Sequence, residues 1–203
     1  MLIKTLTVGN LETNCYIVTN ESLMECVVID PGDESNTILD YIESNRLKCK
    51  AILLTHGHFD HVSALSAVSE ETGATVYMNA KDDAENMHSF LFPLHLPESS
   101  KYIEDGDNIC EAGLTFTAIA TPGHTPGSMT YIVENVIFSG DTLFCGSCGR
   151  TDLEGGNMEE LSASLKKICS LEGEYEIYPG HMDSTTLIRE KTFNFCCREA
   201  LQK

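Results

Sequence analysis

The chain has 203 residues, 42% of them hydrophobic and 22% charged, a balance that suits one globular core and disfavours both disorder and membrane spanning. Thirty-one Asp and Glu against thirteen Lys and Arg leave a formal net charge of −18, which repels phosphate backbones and anionic lipid surfaces. Neither a nucleic-acid nor a membrane partner is therefore expected, and residues 1–203, which contain no linker or repeat, read as a single domain.

Apolar runs predict strands at Leu2–Val8, Cys15–Thr19, Cys26–Ile29, Ala51–Leu54 and Thr75–Met78, then at Leu114–Ala120, Met129–Val133, Val136–Ser139 and Glu176–Tyr178. Glu134-Asn135, between two Ile/Val-rich runs, predicts a tight hairpin turn. Helical patterns fall near Asp33–Asn45, Val62–Thr72 and Thr185–Leu201, the last with Ser184 as a candidate cap. Another helix starts at Asn157 as N-cap with Glu160 three residues on, and its Met158, Leu161, Leu165 and Ile168 share one face. Strands and helices in this mixture, joined by both hairpins and crossovers, imply a layered α/β protein without an all-parallel, doubly wound sheet.

Nine cysteines at irregular spacing, behind an N-terminal segment that alternates apolar and polar residues, predict reduced thiols and a cytoplasmic protein. Cys145-Gly-Ser-Cys148 has the C-x-x-C spacing, but no second such pair accompanies it, and it reads as a loop coincidence.

The chemistry is concentrated where strands end. Thr55-His56-Gly57-His58-Phe59-Asp60-His61 follows one predicted strand, Thr121-Pro122-Gly123-His124 a second, Gly140-Asp141 a third and Pro179-Gly180-His181 a fourth. Five of the seven histidines lie in these places, and only His88 and His95 lie elsewhere. Burying such rings and carboxylates unpaired would cost several kcal/mol each, so the pattern is not a core pattern. Strand ends on one sheet edge converge on a crevice, so a metal site is expected. Five His and two Asp exceed the four ligands of one zinc ion but fit two ions that share a carboxylate. Two cations about 3.5–4 Å apart clamp the attacking and departing atoms of a hydrolysis and make a shared water acidic near neutral pH. Zinc is the expected metal, and iron and manganese accept the same ligands.

Together THGHFDH at 55–61, TPGHTPGS at 121–128, SGDTLF at 139–144 and PGH at 179–181, with TNCY at 13–16, resemble the metallo-β-lactamase superfamily along nearly the whole chain. The resemblance implies a four-layer αββα sandwich with mixed sheets and the metals at one edge. It implies His56, His58 and His124 as ligands of a first divalent ion, Asp60, His61 and His181 as ligands of a second, and Asp141 as the bridge. Asp60 would also orient the nucleophile. FCGSCGRTDLEGG at 144–156 is similar to a loop of the glyoxalase II-like branch, which implies hydrolysis of a small acyl thioester and substrate binding by Arg150. Met182-Asp183 stand where that branch has Gly-Pro, at the mouth of the site, and the basic C-terminal grip for glutathione has no counterpart here. The alternative implied by the same loop is an oxidoreductase resembling persulfide dioxygenases, with one non-haem iron held by His56, His124 and Asp141. Nuclease and β-lactamase readings are weaker, because the net charge has the wrong sign for the first and Asp141 stands where many zinc β-lactamases carry Cys. Thr55 is expected to support the metal loop through its hydroxyl, and Cys15 and Tyr178 to pack.

Overall fold

The computed structural model describes residues 1–83 and 96–202. One six-stranded sheet contains β1 (Leu2–Val8), β2 (Thr13–Asn20), β3 (Glu25–Ile29), β4 (Lys48–Leu53), β5 (Thr75–Met78) and β6 (Lys101–Tyr102) in spatial order. β1 to β3 pair antiparallel and β3 to β6 parallel, so the sheet is mixed, as the hairpins and crossovers require.

A second mixed sheet is built from β7 (Asn108–Glu111), β8 (Leu114–Ala120), β9 (Met129–Val133) and β10 (Val136–Gly140). A two-stranded ribbon, β11 (Leu143–Phe144) and β12 (Ser147–Cys148), follows it in the chain. β13 (Glu176–Pro179) then pairs parallel to β10 and β14 (Thr185–Thr186) antiparallel to β13, completing the second sheet. The Glu134-Asn135 turn joins β9 to β10 with Val133 opposite Val136, as predicted.

Period-2 alternation sorts the strand residues into separate layers. Cys15, Ile17, Cys26, Val28 and Ile52 face α1 (Ser35–Ser44) and α3 (Leu65–Thr72), which contribute Ile38, Ile42, Leu65 and Val68. The intervening residues Tyr16, Val18, Val27, Ile29, Ala51 and Leu53 meet Phe116, Ala118, Tyr131 and Phe138 between the sheets. On the outer face of the second sheet, Ile137 and Ile177 pack with Leu161, Leu165 and Ile168 of α4 (Met158–Cys169) and with Leu187, Cys197 and Ala200 from the C-terminal helices. The result is helix, sheet, sheet, helix, the expected αββα sandwich.

Helix boundaries show what the pattern left undetermined. Asn157 caps α4, its Oδ1 accepting from Glu159 N at 2.9 Å and Glu160 N at 3.2 Å. Met158, however, is 58% exposed, because the first residue of α4 lies outside the strip that meets the sheet. The predicted helix at Val62–Thr72 is two, α2 (Phe59–Val62) and α3, since the amides of Ser63 and Ala64 donate to the carbonyls of Gly32 and Pro31. The predicted C-terminal helix is also divided. Thr185 pairs in β14, Thr186 rather than Ser184 caps α5 (Leu187–Phe193), and Asn194 in extended conformation starts α6 (Phe195–Gln202). Among the described residues no helix is long and apolar enough to cross a membrane.

Candidate metal centre

All four predicted loops meet at one edge of the sandwich, each at the C-terminal end of its strand. β4 leads into His56 and His58, β8 into His124, β10 into Asp141 and β13 into His181. His58 is the extended N-cap residue of α2, so that the next turn presents Asp60 and His61 to the same crevice. Two glycines allow the loops to close. Gly123 adopts φ +131°, and a Cβ on Gly180 would lie 2.2 Å from Asp141 Oδ1.

The side chains fall into two triads. The ligand atoms of His56, His58 and His124 lie within 4.8 Å of one another, and so do those of Asp60, His61 and His181. His124 Nε2 is 2.7 Å from His58 Nδ1, and His61 Nε2 is 3.4 Å from His181 Nε2. Asp141 reaches both groups: its oxygens are 3.5 Å from His124 Nε2, 3.4 Å from His61 Nε2 and 3.6 Å from His181 Nε2. All seven predicted ligands are thus brought together. His88 and His95 lie outside the described residues.

The outer nitrogens fix which inner ones are available. His124 Nδ1 lies 2.8 Å from the Arg150 carbonyl and His181 Nδ1 3.1 Å from the Leu11 carbonyl. A carbonyl only accepts, so both rings carry their proton on Nδ1 and turn an Nε2 lone pair inward. Asp30 does the same for His61, with Oδ2 2.9 Å from Nδ1, and also accepts from the Thr55 backbone amide and hydroxyl. The Thr55 oxygen in turn lies 3.0 Å from His56 Nδ1, the supporting role expected of it. His56 Nε2 is buried with no hydrogen-bond partner. A buried nitrogen left without a partner and lone pairs aimed at one another fit a cation between them. The His/Asp cluster fits a dinuclear divalent site.

Electrostatics separate the triads. Burial, with repulsion from neighbouring imidazoles, pushes His56 down and His58 down to about 3. Burial also opposes charge on His61, but the Asp141 charge and the Asp30 hydrogen bond prevail and raise it to about 9. His181 is raised against burial by its bond to Asp60 and the charge of Asp141. Asp60, although partly buried, is held well below the usual carboxylate range by His181, His61 and the Thr13 hydroxyl at 3.0 Å.

Two supporting carboxylates escaped the sequence reading. Asp30 had a visible signal, since Ile29-Asp30-Pro31-Gly32 is another strand end followed by Pro-Gly. Asp82 had none. It is buried in a single 3₁₀ turn (Ala80–Asp82), where Oδ2 accepts from Gly57 N at 3.0 Å and Thr125 Oγ1 at 2.6 Å, and Oδ1 accepts from Gly127 N at 2.6 Å. It thereby ties the loop of His56 and His58 to the loop of His124. Cys15 is buried, and Tyr178 packs edge-on against Tyr16, as expected of both.

A cavity of about 790 Å³ opens over the predicted ligands, lined by the apolar side chains of Leu11, Phe59, Phe144, Leu153 and Met182 and by the charged Arg150 and Glu154. Arg150 spends Nε and Nη2 on Asp152, each at 2.7 Å. Met182 holds φ +70° at the mouth, a backbone conformation that glycine adopts more easily.

Comparison with known proteins agrees with this geometry. The metallo-beta-lactamase superfamily model matches residues 8–181. The hydroxyacylglutathione hydrolase GloC of Haemophilus influenzae is 32% identical over 96% of this chain and 97% of its own length. Among solved structures, the B3 metallo-beta-lactamase BLEG-1 is 34% identical, with a TM-score of 0.87 over 96% of this chain and 98% of that one. TTHA1623 in a di-iron-bound form is 36% identical, with a TM-score of 0.82 over 95% and 98% of the two chains. ETHE1 from Myxococcus xanthus is 29% identical, with a TM-score of 0.81 over 96% and 84%. With its ligand loops, sandwich and matched residues in agreement, the chain belongs to the metallo-β-lactamase superfamily, a superfamily of metal-dependent hydrolases.

Proposed function

We propose that this protein is a dinuclear metal-dependent thioesterase acting on a small acyl thioester. The observation that carries the reading is the position of Asp141, within 3.4–3.6 Å of nitrogens from both triads. One ion would be held by His56, His58 and His124, the other by Asp60, His61 and His181, with Asp141 between them. Zinc is the proposed metal, and the di-iron form of TTHA1623 keeps iron in the test. Bound divalent ions supply Lewis acidity, which makes water nucleophilic near neutral pH and stabilises the oxyanion of the attacked carbonyl.

The protein's own groups do the rest. Asp60, partly open to the cavity, accepts a hydrogen bond from the attacking water and orients it. Asp30, Thr55 and the Arg150 and Leu11 carbonyls keep the imidazoles from turning. The apolar lining excludes bulk water and receives the acyl or thiol portion, while Arg150, which also lines the cavity, binds an acidic group of the substrate. A thiolate leaves without protonation, so no separate general acid is required.

The test is metal analysis of the purified protein, followed by thiol release from a panel of thioesters, with a β-lactam and a persulfide as competitors. Two ions per chain and preferential thioester turnover are expected. One iron per chain with oxygen consumed on the persulfide would establish the mononuclear oxidoreductase reading instead, and preferential β-lactam turnover would replace the substrate class.

A further inference from the structure

All nine cysteines are free thiols, and six of them meet in pairs. Cys26 and Cys49 sit side by side on β3 and β4, and Cys169 meets Cys197 between α4 and α6, all four in the buried core. The pair formed by Cys148 and Cys196 differs. Both residues are half-buried, their Sγ atoms are 2.8 Å apart, and Cys148 lines the cavity from β12 while Cys196 lies in the first turn of α6.

The surroundings hold this pair in place. Gly146 N, in the turn of the ribbon, donates to Glu190 Oε2 of α5 at 2.7 Å, and Asn194 Nδ2 donates to the Ser147 carbonyl at 2.9 Å. The ribbon is therefore docked on the C-terminal helices without any covalent link. Cys145, the partner suggested by the C-x-x-C spacing, is occupied differently, with Arg189 Nη1 3.1 Å from its Sγ.

We propose that Cys148 and Cys196 form an oxidisable dithiol site that closes to a disulfide by exchange with a low-molecular-weight disulfide. The Cys196 thiolate attacks one sulfur of that disulfide, breaking its S–S bond and releasing the first small thiol. Cys148 then attacks the Cys196 sulfur, forming the Cys148–Cys196 bond and releasing the second. The two electrons and two protons lost by the pair leave on the two small thiols, so the step balances. Cys148 Sγ donates to Cys196 Sγ, and burial with that contact pushes the Cys148 thiol up to about 12, so Cys148 keeps its proton and serves as the resolving thiol. Cys148 lines the cavity and Cys196 is half-buried, so both can be reached by a small reagent, whereas the two core pairs are shielded.

The experiment is incubation of the full chain with cystamine, alkylation of the remaining thiols, and a non-reducing peptide map. One cross-linked peptide containing Cys148 and Cys196, and the loss of two of the nine titratable thiols, are expected, both reversed by dithiothreitol. Cys148→Ser and Cys196→Ser each remove that peptide, and Cys145→Ser leaves it. A link to Cys145, a link within either core pair alone, a persistent mixed disulfide, or nine unreacted thiols after equilibration would each overturn the proposal. The wild-type map decides the matter even if one variant folds poorly.

Discussion

The two triads use similar ligands on neighbouring loops, but burial and charge act on them in opposite directions. His56, His58 and His124 are all buried and lie together, whereas Asp60 and His181 of the second triad are partly open to the cavity. In the first triad, burial and mutual repulsion keep His56 and His58 neutral. In the second, against the opposing effect of burial, Asp141, Asp30 and Asp60 raise His61 to about 9, and Asp60 and Asp141 raise His181 as well. Within the first triad His124 Nε2 already pairs with His58 Nδ1 and His56 Nε2 is a buried nitrogen left for a cation, while in the second a proton on His61 competes with the cation. The same edge of one sandwich contains a preformed site and a proton-occupied one.

Asp141 is the residue the two triads share, and its loss should have the largest effect. Asp141→Ala is expected to lower thioester turnover by at least about a hundredfold, in the range of losing a principal electrostatic contact. Melting temperature should change much less, because Asp141 lies at the end of β10 and outside the apolar layers. A variant that kept more than about a tenth of the turnover, a barrier change below ~1.4 kcal/mol, would refute the bridging role.

The contrast in protonation has its own test. A cation entering the second triad must displace the proton of His61, whose pKa is raised to about 9. Raising the pH removes that proton, so affinity at this site should rise by about tenfold per pH unit and level off above pH 9. In the first triad His58 is neutral at any pH well above about 3 and His56 is pushed down as well, so binding there displaces no proton from these two rings and its affinity should rise less steeply with pH. Calorimetric titration in buffers of different ionisation enthalpy measures both. Equal proton release for the two equivalents would show that the triads do not differ.

Two buried carboxylates support the centre: Asp30 behind His61 and, through the Thr55 hydroxyl, behind His56, and Asp82 behind the loops of His58 and His124. Removing one at a time tests how far the triads are separate. Asp30→Asn loses charge next to His61, and is expected to weaken the second site by about 10- to 100-fold. Asp82→Asn exchanges one of the oxygens beneath Gly57, Thr125 and Gly127 for a donor facing donors, costing about 1–3 kcal/mol of stability and loosening the first site. Thermal melts and stoichiometric metal titration of both variants would show whether the effects stay on their own sides.

The sequence made the ligands legible because each follows a strand, and strand ends on one sheet edge converge wherever the strands pair in the right order. Asp30 obeys the same rule and was readable in retrospect. Asp82 was not, because its role depends on where three turns stack in space rather than on its neighbours in the chain. The split of the C-terminal helix was hidden for a similar reason: Thr185 gains a strand partner in Ile177, and apolar spacing alone does not reveal that competition. Met158 fits the helical period and still lies outside the contact, since period assigns a face but not its extent.

The smallest expected effect concerns the open side of the site. Arg150 has two separable roles: its carbonyl positions His124, and its side chain, paired with Asp152, belongs to a residue that lines the cavity. Truncating the side chain leaves the carbonyl in place, so Arg150→Ala should preserve metal content and kcat. Against a net charge of −18, an acidic thioester needs a local cation, and one that two N–H groups can present to a carboxylate. The variant is therefore expected to raise KM roughly tenfold for acidic thioesters and to change KM little for neutral ones. Asp152→Ala should do the reverse, freeing the guanidinium and lowering KM for the acidic substrates. Equal losses on both substrate types, or no response to Asp152→Ala, would assign Arg150 to holding the loop that carries the His124 contact, and leave substrate binding to the apolar walls.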